Sequence, residues 1–331
     1  MHLRKARQRF LDSGDDRDLP VVDAHLHFWD PTHNYHPWLC DEPMIPFRYG
    51  DYAAIRRPFL PDEYRRLAGP HSVMGCVYME AEWAPGLALE EAAWIQQLHE
   101  ATGWPDAMLA QAWLDRDDVE DQLEALSRFA LVKGVRHKPA SLPREDYRPG
   151  HGLAGSLECP RYQAGVASLA RRGWIFELQV PWWHLGELVA LLERHPEMPV
   201  VINHAGVPGD RAPATLAGWR EALARVAPFP QVMLKLSGIG LPDAPWRLAD
   251  NREVLRTAIA LFGPERCMFA SNFPVDSLVV DLAELFDAFK AVSADYTREQ
   301  RLAMFCDNAL RCYGLDGDAF SVTGDDAGAA G

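Results

Sequence analysis

The sequence predicts a (β/α)8 barrel, the TIM-barrel fold, in a single domain. Eight short apolar runs recur along its 331 residues, and segments with helical periodicity connect them. Most of these runs are apolar nearly throughout, which is typical of parallel strands covered on both faces. Length alone also allows two domains. A doubly wound open sheet is the alternative, but no glycine-rich phosphate fingerprint follows the first run.

The predicted elements alternate along the chain. Strands are predicted at Val21–His27, Val73–Glu80, Met108–Leu114, Leu131–His137, Trp174–Val180, Pro199–His204, Val232–Leu236 and Cys267–Asn272. A helix begins after Leu60, because Pro61 and Asp62 suit a first helical turn. Further helices are predicted at Leu87–Ala101, Val119–Phe129, Pro160–Arg172, Leu185–His195, Thr215–Val226, Arg252–Phe262, Leu278–Val292 and Thr297–Cys312.

Three parts of the chain are predicted around this alternation. Residues 1–19 are expected to form a solvated N-terminal arm, residues 20–315 the barrel, and residues 316–331 a flexible tail rich in Asp, Gly and Ala. The connection from Asp30 to about Pro58 is long and rich in aromatic residues and proline. It is either a lid or binding loop, or an irregular segment packed on the rim.

Composition excludes some partners. The net charge of −14 argues against a broad nucleic-acid footprint, and no apolar run approaches the length of a membrane helix. The N-terminus lacks a signal-peptide core, and the six cysteines are scattered without a C-x-x-C pair. This pattern predicts reduced thiols and a cytoplasmic location. The expected partner is a small-molecule substrate, and a homo-oligomer is compatible with the sequence.

The first strand ends in a His-x-His pair, His25 and His27. Alternate strand residues point to the same side, so the two imidazoles would sit roughly 6–7 Å apart and could share one divalent ion. The competing interpretation is that they are polar residues satisfied by their neighbours. His204 closes the sixth strand and is followed by the small residues Ala205 and Gly206, which leave space beside it.

Other polar residues collect where the predicted strands end, which is where barrel enzymes place their chemistry. The candidates are Glu80, Arg136, His137, Gln179, Trp182, Asn272 and Asp276. Arg136 could hold a substrate carboxylate through a bidentate pair. Trp38, Trp182 and Trp183 could wall a pocket, although aromatic residues more often pack in a core. Glu82 and Lys235 are better explained as members of ion pairs.

These motifs resemble the amidohydrolase superfamily. The resemblance rests on His25-x-His27, on His204 in Asn-His-Ala-Gly, on Lys-Gly-Val-Arg-His at the fourth strand and on Ala-Ser-Asn-Phe-Pro-Val-Asp at the eighth. The opening Asp-Ala-His-Leu-His-Phe-Trp-Asp-Pro, followed by Tyr-His-Pro-Trp-Leu, is similar to the amidohydrolase 2 branch of sugar-acid and pyrone lactonases. That branch includes L-fuconolactonase and 2-pyrone-4,6-dicarboxylate lactonase.

The resemblance implies a distorted barrel that hydrolyses a small carboxylic ester, most readily a lactone of a sugar acid or dicarboxylate. It implies that His25, His27 and His204 are metal ligands for one divalent ion, zinc foremost, although some lactonases of this branch need no metal. It matches Arg136 to a strand-four arginine that faces a substrate carboxylate, and the strand-end positions add Glu80, His137, Gln179 and Trp182 as substrate-binding candidates. Gln179 stands where a strand-five histidine would complete a two-metal site.

The eighth strand departs from the family pattern. Asn272 stands where the family usually has a metal-binding, proton-shuttling Asp, and an amide cannot act as a base near neutral pH. The catalytic set is therefore predicted as His204, Asn272 and Asp276, with Asp276 or His204 as the base. Asp276 could instead be a helix N-cap.

Two other functions remain open. The first is a non-oxidative decarboxylase of the same superfamily, and the second is a small-molecule binding protein whose catalysis is impaired by Asn272.

Overall fold

The computed structural model describes residues 2–317 and shows the predicted barrel. The eight parallel strands lie in sequence order: β1 (Pro20–Leu26), β2 (Ser72–Met79), β3 (Ala107–Gln111), β4 (Val132–Arg136), β5 (Ile175–Leu178), β6 (Val200–Ile202), β7 (Val232–Leu236) and β8 (Cys267–Phe269). A parallel bridge between Leu26 and Phe273 joins the first strand to the segment that follows the last. The fold class predicted from the sequence is confirmed.

Helices surround the sheet and connect consecutive strands. They are α1 (Leu3–Ser13), α2 (Pro37–Cys40), α3 (Pro61–Leu67), α4 (Ala88–Thr102), α5 (Val119–Leu126), α6 (Pro160–Arg172), α7 (Leu188–Arg194), α8 (Pro213–Val226), α9 (Leu248–Phe262), α10 (Leu282–Val292), α11 (Arg298–Leu302) and α12 (Asn308–Tyr313). Short 3-10 turns occur at Ala53–Ile55, Trp182–Glu187, His204–Gly206, Pro264–Arg266 and Val275–Leu278, and a π-helical turn at Ala303–Asp307 joins the last two helices.

Several strands end earlier than the sequence predicts. The sixth ends at Ile202 rather than His204, and the eighth ends at Phe269 rather than Asn272. At these ends the backbone turns left-handed, with φ of +54° at His204 and +57° at Asn272. The turn takes these two residues out of the strand ladder and toward the mouth of the barrel. Apolar periodicity does not report such a turn.

The expectation of a solvated arm over residues 1–19 is wrong. Residues 3–13 form α1, and its Leu3, Ala6 and Phe10 are buried at the i, i+3, i+7 spacing of one helix face. Arg298 donates to the Leu11 carbonyl at 2.7 Å and so ties the helix to α11. The many charged residues of this segment hide its short apolar stripe. The predicted tail lies outside the described residues from position 318 onward.

The other structural expectations concern thiols and membranes. All six cysteines are free. Across residues 2–317, no helix combines the length and apolar character needed to cross a membrane.

The helices pack closely on the strands, which leaves no room for added atoms at certain glycines. A Cβ built on Gly165 of α6 would lie 2.0 Å from the Leu114 carbonyl oxygen. Gly186 offers a matched position, because its Cβ would meet only Arg225 Nη1, at 3.6 Å. Gly165 is therefore required by the contact between α6 and the segment that follows the third strand.

We expect Gly165→Ala to lower the free energy of unfolding by roughly 1–3 kcal/mol, the usual cost of overpacking. The control Gly186→Ala should change it by less than about 0.5 kcal/mol. Urea titration followed by circular dichroism measures both. Equal effects of the two substitutions would contradict this account of the packing.

Candidate active site

Three histidines from two distant parts of the chain meet at the mouth of the barrel. The ring centroids of His25 and His27 are 5.2 Å apart, and those of His25 and His204 are 4.8 Å apart. All three side chains are buried. The structure therefore brings together the three residues that the sequence singled out as metal ligands.

Hydrogen bonds on the outer side of two rings set their orientation. His27 Nδ1 lies 2.8 Å from the Met79 carbonyl oxygen, and His204 Nδ1 lies 3.0 Å from Ser237 Oγ. Since Nδ1 is engaged in both rings, Nε2 is left for the inner side. Neither nitrogen of the buried His25 has a hydrogen-bond partner among the described residues. Burial lowers the pKa of all three imidazoles well below the usual value, so they are neutral and offer lone pairs.

Asn272 adds a fourth group with its direction fixed. Its Nδ2 donates to Asp276 Oδ1 at 2.7 Å, so the amide oxygen is the atom left to face the histidines. That amide also interacts with the His27 ring. Because His27 Nδ1–H donates to Met79, the lone pair of His27 is on Nε2, and the Asn272 amide oxygen presents a second lone pair beside it. A cation satisfies two facing lone pairs.

Asp276 lies behind Asn272, with its side chain 1% exposed. Its Oδ1 also accepts a hydrogen bond from Tyr49 at 3.2 Å. Burial raises the pKa of Asp276 to about 6, against the opposing effect of Arg48. The N-cap interpretation is wrong, because Asp276 lies within the turn Val275–Leu278 and α10 has Asp281 at its N-cap. Asp276 is placed to hold the Asn272 amide.

The donor set has the chemistry of a divalent-ion site, although the ligand atoms of the three histidines do not all lie within 4.8 Å of one another. Three neutral imidazoles and an amide oxygen are ordinary ligands for such an ion, and the unpartnered nitrogens of His25 are costly unless something binds them. No carboxylate belongs to this set. The Asp276 carboxylate lies one hydrogen bond behind Asn272.

A cavity of about 260 Å³ opens above these groups. The long connection after β1 supplies part of its wall, so the interpretation of this segment as a binding loop fits the structure. The wall consists of His27, Trp29, Trp38, Ile45, Pro46, Phe47, Arg48, Ala81, Glu82, Arg136, Lys138, Gln179, His204, Asn272 and Val275.

Arg136 is committed to the protein rather than free in the cavity. Its Nε donates to Glu80 Oε1 at 2.5 Å, its Nη2 to the Glu80 carbonyl at 2.6 Å, and its Nη1 to Gln179 Oε1 at 3.3 Å. The side chain is 3% exposed. The predicted residues Glu80, Arg136 and Gln179 thus form one buried network, in which Glu80 neutralises the guanidinium.

Arg48 is the more available cation, and the sequence interpretation missed it. Its side chain is 31% exposed, it lines the cavity, and its Nη1 donates to the Gly238 carbonyl at 3.2 Å. Its contact with the Asp276 carboxylate is longer, at 3.5 Å from Arg48 Nη2 to Asp276 Oδ1. The only sequence signal for Arg48 was its place among the aromatic residues of the long connection.

The remaining candidates lie elsewhere. His137 lines a neighbouring cavity of about 340 Å³ together with Trp83 and Trp113, and its Nδ1 accepts from the Leu114 N–H at 3.0 Å. Trp182 lies against Gly218 of α8 and is absent from both cavity walls. The predicted ion pairs are present: Lys138 pairs with Glu82, and Lys235 lies 2.8 Å from Glu177.

Comparison with known proteins identifies the family. The family described as Amidohydrolase matches residues 22–315. The chain belongs to the amidohydrolase family. The resemblance seen in the sequence is confirmed, and the protein is an enzyme of the amidohydrolase type.

Relatives of this amidohydrolase cover most of its length. A protein of Sinorhizobium fredii, named as uncharacterised protein y4mH, is 31% identical over 89% of this chain and 99% of its own. The L-fucono-1,5-lactonase of Burkholderia multivorans is 26% identical over 89% of this chain and 96% of its own. A solved amidohydrolase structure from Burkholderia multivorans with bound zinc is 25% identical, with a TM-score of 0.73, and covers 89% of this chain and 99% of that one. These comparisons support lactone hydrolysis or a related amidohydrolase activity.

Gly238 tests how tightly His204 is held. A Cβ there would lie 2.4 Å from His204 Nδ1, whereas a Cβ at Gly209 would lie 3.5 Å from Thr215. Both glycines have positive φ, so Gly209→Ala matches the backbone strain of Gly238→Ala. We expect Gly238→Ala to displace the imidazole and to weaken divalent-ion binding at least about tenfold, the effect typical of losing an orienting contact. Isothermal titration calorimetry measures this, and equal affinities in the two variants would show that His204 is not positioned by this contact.

Proposed function

We propose that this amidohydrolase hydrolyses a small carboxylic ester, namely a lactone of a sugar acid or dicarboxylate. The lactonase-named relative supports the reaction class, and the site supports a substrate that carries both a carbonyl and a carboxylate. The single observation that carries the proposal is the set of unpaired lone pairs at the base of a cavity whose wall presents Arg48.

The base of the cavity is suited to activating a carbonyl group. His25, His27, His204 and the Asn272 amide oxygen would hold one divalent ion, zinc foremost. When bound, the ion would polarise the ester carbonyl and lower the pKa of a water molecule. In a site without metal, His204 Nε2 would instead take the proton of the attacking water, because burial keeps this imidazole neutral.

Other residues hold the reacting groups in place. Asp276 accepts from the Asn272 amide and so keeps the amide oxygen directed at the histidines. Arg48 binds the substrate carboxylate, a role that we transfer from Arg136 because the Arg136 guanidinium is already neutralised by Glu80. Trp38 and Phe47, whose rings stack at 5.7 Å, cover the ring of the substrate.

A decarboxylase remains the rival enzyme. It would also use the histidines, but it would act on a hydroxybenzoate rather than on a lactone. A binding protein without catalysis is the other rival, and in that case Asn272→Asp would create an activity that the native protein lacks.

We expect the native enzyme to hydrolyse lactones that carry a carboxylate in preference to neutral lactones of the same ring size, and to leave hydroxybenzoates unchanged. Arg48→Met should raise KM for the carboxylate-bearing lactones by roughly 10–100-fold, since a charge-assisted hydrogen bond contributes about 1.5–3 kcal/mol. KM for neutral lactones should change little. Proton release in a weakly buffered pH-indicator assay measures hydrolysis, and a chelator arm tests whether the reaction depends on metal.

The matched control is Arg57→Met. Arg57 comes from the same connection, but it pairs with Glu63 at 2.7 Å outside the cavity wall. It should leave both classes of lactone unaffected. Carbon dioxide release from hydroxybenzoates with no lactone turnover would overturn the proposal, and so would activity that appears only in Asn272→Asp.

A further inference from the structure

A second group of metal-ligating side chains lies outside the candidate active site. His151 and Glu158 belong to the connection between β4 and α6, and His184 and Glu187 belong to the turn Trp182–Glu187 after β5. We propose that these four residues form a divalent-cation site of the zinc type, separate from the three histidines at the barrel mouth. The site would fasten the connection over residues 137–159 to the barrel.

The ligand atoms already converge. One ligand atom from each of His151, His184 and Glu187 lies within 4.8 Å of the other two. His184 Nδ1 is 2.5 Å from Glu187 Oε1, and His151 Nε2 is 3.2 Å from the same oxygen. Glu158 lies at the edge of this group, with its Oε2 3.8 Å from His151 Nε2. Two imidazoles and two carboxylates are a common donor set for a transition-metal ion.

The charges of the cluster call for a cation. The side chains of His151, His184 and Glu187 are each no more than 5% exposed. Within residues 2–317, the ion pairs of Glu158 and Glu187 are with histidine and not with Lys or Arg. The Oε2 atoms of both carboxylates are buried without a hydrogen-bond partner. One divalent ion would neutralise the two carboxylates and give both free oxygens a partner.

Backbone contacts from Leu142 and Leu153 position the two rings. The Leu142 N–H lies 3.0 Å from His184 Nε2 and the Leu142 carbonyl lies 3.2 Å from the same nitrogen, so ion binding at Nδ1 exchanges an accepted hydrogen bond for one that Nε2–H donates to the carbonyl. The Leu153 N–H lies 3.0 Å from His151 Nδ1. Ion binding costs His151 that hydrogen bond, because Nδ1 must then carry the proton. Tyr147 covers the His184 ring at 4.7 Å and shields the cluster from solvent.

Direct counting of bound zinc tests the proposal. We use the double variant His27→Gln/His204→Gln, which removes active-site ligands, so that any ion counted belongs elsewhere. After chelation and re-addition of zinc, we expect this variant to retain one equivalent by plasma mass spectrometry. Adding His184→Gln, or separately Glu187→Gln, should remove that equivalent. Adding Glu145→Gln, which alters an exposed carboxylate of the same connection, should leave it bound.

Limited trypsin digestion gives a second readout that does not depend on activity. Arg144 is exposed in the connection and is followed by Glu145, whereas Arg148 precedes Pro149 and so offers trypsin no cleavable bond. In the His27→Gln/His204→Gln variant, zinc at 100 times its dissociation constant should slow cleavage after Arg144 about 100-fold. The reason is that the ion binds only when the connection is fastened to the barrel, and trypsin cleaves it only when it is released. Circular dichroism of the metal-free variants checks that they fold. The proposal is overturned if the double variant binds no zinc. It is also overturned if folded protein that carries His184→Gln or Glu187→Gln in addition still retains the equivalent. Loss of lactone hydrolysis alone would count against the proposed function and not against this site.

Discussion

The active site is built around buried side-chain nitrogen and oxygen atoms whose lone pairs have no hydrogen-bond donor. An unsatisfied buried polar group costs about 1–3 kcal/mol, and His25 alone presents two such nitrogens. Hydrogen bonds on the outer side of the site keep the neighbouring side chains in place: Met79 contacts His27, Ser237 contacts His204, and Asp276 contacts Asn272. Because these contacts engage the outer atoms, the inner atoms are left for an ion or a substrate.

The barrel makes this convergence possible through its strand ends. The sixth and eighth strands stop early, and His204 and Asn272 adopt left-handed backbone conformations that cost about 1–3 kcal/mol when a residue other than glycine adopts them. Their side chains thereby meet His25 and His27, which belong to the first strand and the residue after it. The same neighbourhood carries Arg48 from the long connection, so His27, His204 and an available cation share one cavity.

The sequence predicted the barrel and the histidines because both follow from local patterns. Apolar runs mark strands, and His-x-His places two rings on one side of a strand. Contacts between distant segments were not visible in this way. Nothing near Arg136 showed that Glu80 would neutralise it, and nothing near Asp276 showed that it would lie behind Asn272 instead of in the cavity. Composition likewise does not tell which surface Trp182 or α1 packs against.

The most direct test is a crystal of the enzyme grown with zinc and measured on both sides of the zinc absorption edge. The account predicts an anomalous difference peak within coordination distance of His25, His27 and His204 and of the Asn272 amide oxygen, at about 2.0–2.2 Å from each ligand atom. A map with no peak among these four residues, in crystals where zinc is otherwise visible, would contradict it.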